Sequence, residues 1–428
     1  MDTLLSLSVA LLAGLLLSRL TKKIGLPDVT AYLIAGILVG PYCLGALGLE
    51  GIGFTSFEKV QGLSLVSNVA LGFIAFAMGN EFRLKQLKAI GKQATVVAIF
   101  QAVTAAAFVD IALIVFHFLA PERLPLEAAI TLGAIAAATA PAATLMVVRQ
   151  YKAEGPLTRI LLPVVALDDA VGLILFAVSY GIAESLTSGA VNVTGMLWEP
   201  LAEIVLSLLL GAAAGLVFSK TEQFFHSNSK RLAISITFVF LTVALSMLRF
   251  DLGGFQISFS PLLACMMLGT VFCNVCDFSE ELMERCDKWT APLFVLFFVI
   301  SGAELELDVI AQLPVVAIGI VYLAARSLGK YFGARVSCSF TGCSETVRKY
   351  LGVTLLPQAG VALGMTITAQ NLPGSGSLIR NIVLFSVLVY EIVGPALTKF
   401  ALSKAGEISP KPASIRNKTK TEIRPNKA

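Results

Sequence analysis

Charge is what this chain has least of. Aspartate, glutamate, lysine and arginine make up 14% of its 428 residues, against about 25% in a soluble globular protein. With 56% hydrophobic residues and a mean hydropathy of +0.83, that deficit excludes a soluble enzyme and defines an integral membrane protein. Histidine is nearly absent: His117 and His226 both fall near the ends of apolar segments and make poor pH sensors, although a cytoplasmic role for His226 stays open. The seven cysteines (Cys43, Cys265, Cys273, Cys276, Cys286, Cys338, Cys343) show no disulfide framework. Cys273 and Cys276 form a lone CxxC with Cys286 nearby; without a second ligand set it reads as small apolar filler rather than a metal or redox site. A signal peptide is missing as well. Asp2 stands where a basic n-region would, no small-residue cleavage site is evident, and Lys22 and Lys23 follow the first apolar run, so that run is expected to stay. The net charge of +4 comes largely from the polar, basic tail after Lys404 and gives no reason to expect nucleic acid. The tail (403–428) is expected to be disordered and to touch anionic membrane lipid. No nucleotide-binding or other soluble regulatory domain is expected after it.

What is present is a succession of apolar segments of about 20 residues, the length a membrane-spanning helix requires. The sequence predicts an all-α protein of thirteen spans: 3–20, 29–46, 61–79, 94–119, 127–148, 159–183, 198–218, 232–249, 256–274, 290–303, 312–334, 350–370 and 379–402. The tenth is short unless it runs past Gly302 toward Ile310. Loops after odd-numbered spans carry most of the lysine and arginine, among them Lys22, Lys23, Lys88, Arg149, Lys152, Arg159, Lys230, Arg285 and Arg348. Those after even-numbered spans carry only Lys59, Arg123, Arg249 and Arg380. The positive-inside bias puts the N-terminus outside and the C-terminus in the cytoplasm.

Two segments repeat. Span three ends FIAFAMGNEFRLKQL and span ten ends LFFVISGAELELDVI; aligning Gly79 with Gly302 superposes Glu81 on Glu304 and Leu84 on Leu307. A weaker match sets Gly36-ILVGP beside Met266-MLGTV. An odd number of spans lies between the copies, so spans one to six and eight to thirteen read as inverted-topology six-helix repeats joined by span seven. Transporters built this way place their sites near the midplane, where broken helices meet. The expected breaks are Ala138-Thr139-Ala140-Pro141 in span five and Leu356-Pro357-Gln358-Ala359-Gly360 in span twelve, since proline removes a helical hydrogen bond and frees backbone groups that need partners. The bland alternative is two ordinary proline kinks.

Asp168 and Asp169 stand side by side within span six. A carboxylate at membrane depth is costly and usually marks an ion or proton path. Two of them repel by roughly 3 kcal/mol at about 5 Å and an effective dielectric near 20, which favours holding a proton or a cation between them. Consecutive helical residues point about 100° apart, so the two cannot share one partner. Span eleven offers Arg326 in the membrane, a permanent cation that needs a counter-anion. The expectation is therefore that one aspartate pairs with Arg326 while its neighbour faces the ion path. Lys330, one turn further, is expected to snorkel to the interface. Glu391 in span thirteen falls at the repeat position of Asp168 and could serve the site or the structure. Gln101 and Asp110 in span four are further candidates, Asp110 being expected to be solvated or locally hydrogen-bonded. Glu81 and Glu304 end their helices and read as orienting or structural.

These residues resemble a family, the monovalent cation:proton antiporters, and its NapA-like and Kef-like branch in particular. The resemblance runs over residues 3–402 and rests on Gly25-LPDVTAYLIAGILVGP, Gly79-NEF, Thr139-AP, Ala166-LDDAVGLIL, Pro292-LFVLFFVISGAEL, Arg326-SLGKYFGA and Pro357-QAGVALG, taken in order. It implies scaffold and dimerisation helices at 1–92 and 231–310, core helices at 93–183 and 311–402, a linker helix at 198–218, and a homodimer in the cell membrane. It further implies that Asp169 carries the ion and proton, that Asp168 pairs with Arg326, and that Thr139 lends oxygen at the crossover, with Gln358 beside it. Two departures stand out. Arg326 occupies a position where many charge-moving members have lysine, which favours one-for-one coupling. Gly360 stands where relatives often have glutamate, a gap that Glu391 could fill.

The leading expectation is a secondary antiporter exchanging Na⁺ (K⁺ or Li⁺ being alternatives) for H⁺, with no enzyme activity and no cofactor beyond the transported ions. A Kef-like potassium efflux system or channel is the alternative; the missing nucleotide-binding domain weighs against it. An organic-anion symporter is disfavoured by the acid pair. The sequence does not choose the cation, because selectivity depends on oxygen number and cavity size at the breaks.

Overall fold

The structure, a computed structural model, describes residues 2–48, 53–80, 82–188, 193–225, 227–248, 250–252, 255–276, 279–370 and 372–408. Glu81, His226, Arg249 and the tail from 409 onward lie outside the described residues, and with them the Glu81 half of the Gly-x-Glu match.

The described chain is almost entirely helical. Its helices are α1 Asp2–Thr21, α2 Asp28–Val39, the short α3 Phe57–Gln61, α4 Ser64–Gly79, α5 Leu84–Leu119, α6 Leu126–Ile135, α7 Pro141–Gln150 and α8 Pro156–Ser188. They continue with α9 Val193–Glu222, α10 Asn228–Ser246, α11 Pro261–Val275, α12 Ser279–Ala303, α13 Leu313–Phe340, α14 Glu345–Thr354, α15 Gly360–Ala369 and α16 Gly376–Lys404. One small hairpin interrupts them, Phe250–Leu252 against Phe255–Ile257, with Phe250 opposite Ile257. Among the described residues, eight helices are long and apolar enough to cross a membrane. The thirteen-segment reading is larger because α4 and α11 have only 16 and 15 residues, and α6 and α15 are 10-residue halves. Several helices also outrun their apolar stretches: α5 starts at Leu84, α12 at Ser279, and α13 continues to Phe340.

Packing divides into apolar clusters. One joins α1, α2, α4, α9, α10, α11 and α12 around Phe73, Phe76, Phe218, Phe272 and Phe298. A second gathers α5, α6, α13, α15 and α16 around Tyr322, Ile382 and Val383, and a third lies where α5, α8, α13 and α14 meet. Within the first cluster two helix pairs touch backbone to backbone. Gly36 and Gly302 let α2 cross α12: a Cβ at Gly36 would strike the Val299 carbonyl, and one at Gly302 the Leu33 carbonyl. Gly79 and Gly269 do the same for α4 on α11, against the carbonyls of Met266 and Phe76.

Candidate ion site at the crossing of two broken helices

Two helix pairs fail to join. Between α6 and α7 the helix unwinds through a turn into irregular chain over Ala136–Ala140, and between α14 and α15 it does so over Leu355–Ala359. Pro141 opens α7 at its first position, where a missing N–H costs nothing. Pro357 lies inside the second gap, and its carbonyl accepts the Ala140 N–H at 2.8 Å, so the two gaps are bonded to each other. Four half-helix ends thus converge, and the C-terminal ends of α6 and α14 present carbonyls that carry partial negative charge.

Two cations on α13 take up those carbonyls. Arg326 donates from Nε to Ala136 O (2.9 Å), from Nη2 to Ala138 O (2.6 Å) and from Nη1 to Leu356 O (2.7 Å). Its guanidinium lies over the Tyr390 ring, 4.5 Å from the centroid. Lys330, one helical turn away on the same face, donates to Ala137 O (2.5 Å), Thr139 Oγ1 (2.9 Å) and Asp168 Oδ2 (2.7 Å), which uses all of its donors. Both side chains are fully buried.

The expected pairing of Asp168 with Arg326 is therefore corrected: Lys330 holds Asp168, and Arg326 bridges the two backbone gaps. Nor does Lys330 snorkel. Its side chain turns inward with no exposed surface, and its three donors are taken by Ala137, Thr139 and Asp168. Asp168 also accepts from Thr139 Oγ1 and from Gln101 Nε2, so its carboxylate is wrapped in donors from α5, α13 and the first gap. Gln101, only a lesser candidate in the sequence, thus belongs to the site.

Asp169 is different. It is 1% exposed, and neither carboxylate oxygen has a hydrogen-bond partner. The α8 helix turns it away from the network that satisfies Asp168. An isolated carboxylate with no donors in a protein interior is expensive unless a proton or a cation neutralises it. Its sequence neighbour Asp168 bonds Thr139 of the first gap, which brings unwound backbone, with its carbonyl oxygens, to this turn of α8.

Other candidates are placed as follows. Gln358 donates to Ile135 O and to the Tyr322 hydroxyl, both at 3.0 Å, while its own oxygen accepts from Ser386 at 3.1 Å. It splices the second gap to α6, α13 and α16. Glu391 is buried on α16 next to Tyr390, with Oε2 unpartnered. Gly360 faces open space, with no atom within 4 Å of where a Cβ would stand. Asp110 lies outside the site and is only partly buried: its Oδ1 is shut off from solvent without a partner and pressed on Gly133 of α6. His117 Nδ1 meets the Leu124 carbonyl at 2.8 Å. Cys273 and Cys276 make sulfur contacts with Thr270 O (3.2 Å) and Glu222 Oε2 (3.7 Å), and the described residues contain no His/Cys/Asp/Glu group that could hold a metal. Sequence reasoning missed Tyr322, Ser386 and Tyr390; a hydroxyl within an apolar helix was the available signal, shared by many residues that only bond their own backbone.

A cavity of about 1080 Å³ lies between α1, α2 and α12 on one side and α7 and the first turns of α8 on the other. Tyr32, Arg149, Thr158, Arg159, Pro163 and Asp287 line it.

A lone buried carboxylate and two membrane helices broken and bonded to each other are features that mark secondary ion transporters as a class. Comparison with known proteins narrows that class. The family model described as "Sodium/hydrogen exchanger, transmembrane" matches residues 7–404, and the chain belongs to that family. It is 25% identical over 394 residues to the high-affinity Na⁺/H⁺ antiporter NhaS3 of Synechocystis, covering 84% of this chain and 81% of that protein. To the ammonium/H⁺ antiporter subunit AmhT of Alkalihalophilus pseudofirmus it is 23% identical, covering 91% of each. Among solved structures it is similar to the sodium proton antiporter MjNhaP1 of Methanocaldococcus jannaschii, with a TM-score of 0.70 at 17% identity over 95% of this chain and 98% of that one.

Proposed function

We propose that this chain exchanges Na⁺ for H⁺ across the membrane by alternating access, with Asp169 as the group both ions compete for. The carrying observation is the asymmetry of the acid pair: Asp168 is saturated by Lys330, Thr139 and Gln101, while Asp169 is buried with no partner at all. Deprotonated Asp169 binds the cation, protonation releases it, and the carboxylate crosses only when neutralised. Thr139 and backbone oxygens at the gaps supply further ligands. The family, and relatives named as Na⁺/H⁺ antiporters, support this reading; nothing observed favours a potassium efflux channel. Asp169→Asn is expected to abolish cation-driven dequenching of a pH dye in proteoliposomes, titrated with Na⁺, K⁺, Li⁺ and NH₄⁺. Full exchange in that variant refutes the assignment.

Coupling follows from the corrected pairing. One-for-one exchange was expected because arginine cannot give up its proton, but the cation on Asp168 is a lysine, which can. When Asp168 turns toward the transported ion, Lys330 loses its counter-charge and can release a second proton. Net charge then moves in each cycle, and currents from proteoliposomes report it.

The wider architecture belongs to the same proposal. With α4 matched to α12 and α2 to α11, the glycine crossing of α2 on α12 corresponds helix for helix to that of α11 on α4, and the two broken spans correspond likewise, which supports the inverted repeat. Thirteen spans, a core of α5–α8 and α13–α16 moving against a scaffold of α1–α4 and α10–α12, α9 as the linker, a homodimer, and a cytoplasmic C-terminus complete the reading. On that orientation the cavity at the start of α8 opens to the cytoplasm.

A further inference from the structure

One carboxylate outside the ion site is buried with every bond satisfied, and it belongs to the residue that follows the last helix. Glu407 is 5% exposed. Its Oε1 accepts the Leu157 N–H at 2.6 Å, and its Oε2 accepts the Thr158 N–H at 2.8 Å and the Thr158 hydroxyl at 2.7 Å. The Glu154 N–H reaches the Glu407 carbonyl at 3.0 Å. These amides are the open donors at the start of α8, the helix that carries Asp168 and Asp169. Their usual partner is a residue just before the helix; here the cap comes from the far end of the chain.

Local geometry aims it. Gly406 adopts the left-handed conformation (φ 76) that ends α16, and the Glu407 N–H returns to Leu402 O at 3.1 Å. Gly155 clears the approach, since a Cβ there would run into the Glu407 side chain. The turn so capped has weak support from its own helix. Pro163 lies inside α8 and removes the hydrogen bond that would tie it back to Arg159. The segment from Pro156 to Pro163 therefore depends on Glu407 at one end, and Thr158, Arg159, Leu162 and Pro163 form one wall of the cavity, on the same helix that carries Asp169 less than two turns further along.

We infer that Glu407 is a positioning residue for ion exchange: by capping α8 it holds the wall of the vestibule through which the cation reaches Asp169 from the cytoplasmic face. The inference rests on the antiport reading for its transport consequence alone. Glu407→Ala should speed amide hydrogen exchange across 157–162 about five- to thirtyfold, the loss usual for a helix cap, with the rest of α8 unchanged. In inverted membrane vesicles the KM for Na⁺ should rise about threefold or more while kcat stays within about twofold. Vesicles of the opposite orientation should show no such rise. Unchanged amide exchange, or an equal change on both faces, overturns the inference. Should the alanine variant fail to fold, Glu407→Gln, which retains one acceptor oxygen, should fall between wild type and complete loss in both measurements; identity with wild type overturns it equally. Amide exchange is read without transport, so a failure of the antiport reading is seen separately, in the wild-type protein.

Discussion

At the level of single residues, the site is a matter of which charges are satisfied. Asp168 and Lys330 form a buried pair at 2.7 Å with both side chains fully enclosed. Such a pair contributes little net stability over apolar residues of the same volume, yet removing one member leaves an uncompensated charge at a cost of about 3–5 kcal/mol. Lys330→Met is accordingly expected to lower the thermal stability of the detergent-solubilised protein sharply. Asp168→Asn added to it should recover much of the loss, because the stranded carboxylate is then gone. A double-mutant cycle on the unfolding temperature checks this; two losses that simply add would show that the pair is not coupled. The misassigned partner has a physical origin. Arg326 and Lys330 are four residues apart and so share a helix face, which left both able to meet Asp168. The apolar run stops near residue 334, which put Lys330 within snorkelling reach of its end. What the run does not show is that unwound backbone and Asp168 offer three acceptors on the inner face, which hold the ammonium there instead.

At the level of elements, the broken helices were legible and their suture was not. Proline within an apolar stretch announced that hydrogen bonds would be missing at Thr139-Ala140-Pro141 and Leu356-Pro357-Gln358. Nothing local said that the Pro357 carbonyl would accept from Ala140, or that one guanidinium would serve three carbonyls from both gaps, because such contacts join residues some two hundred positions apart. Arg326 can do this because its donors are spread over a rigid planar fork. Arg326→Lys preserves the charge but cannot reach Ala136, Ala138 and Leu356 together. At least one buried carbonyl is then stranded, at a cost of about 1–3 kcal/mol. The expected outcome is a protein less stable than wild type, with exchange reduced at every pH tested rather than displaced along the pH axis. A uniform loss separates misplacement of the gaps from a change in the titrating groups; a displaced pH profile with unchanged stability would assign Arg326 to proton coupling instead. The glycine crossings tell a similar story. Gly79 and Gly302 stood out in the sequence as repeat partners, but each packs on an unrelated helix, α11 and α2 respectively.

For the whole molecule, alternating access requires one body to slide on another, and two ion pairs span the proposed boundary. Arg149 at the end of α7 meets Asp287 of α12 at 2.5 Å beside the cavity. On the opposite side Arg380 of α16 meets Glu306, just past α12. Both are partly exposed, so each contributes at most about 1 kcal/mol, too little to lock a state but enough to bias one. That modest size suits contacts made and broken in every cycle. By contrast, the three bonds of Arg326 join elements of one body and need never open. A tether distinguishes the two kinds of contact. With the native cysteines replaced, cysteines at 149 and 287 bridged by a reagent of about 10 Å, the span of the side chains they replace, should stop exchange. The same tether between α5 and α13, at Phe108 and Phe332, whose rings stack 6.3 Å apart, should leave it running. Bound Na⁺ should still protect Asp169 from a carboxyl-directed reagent in the first protein, because the site is intact and only its passage is blocked. If both tethers stop exchange, or neither does, the boundary between moving and fixed helices lies elsewhere.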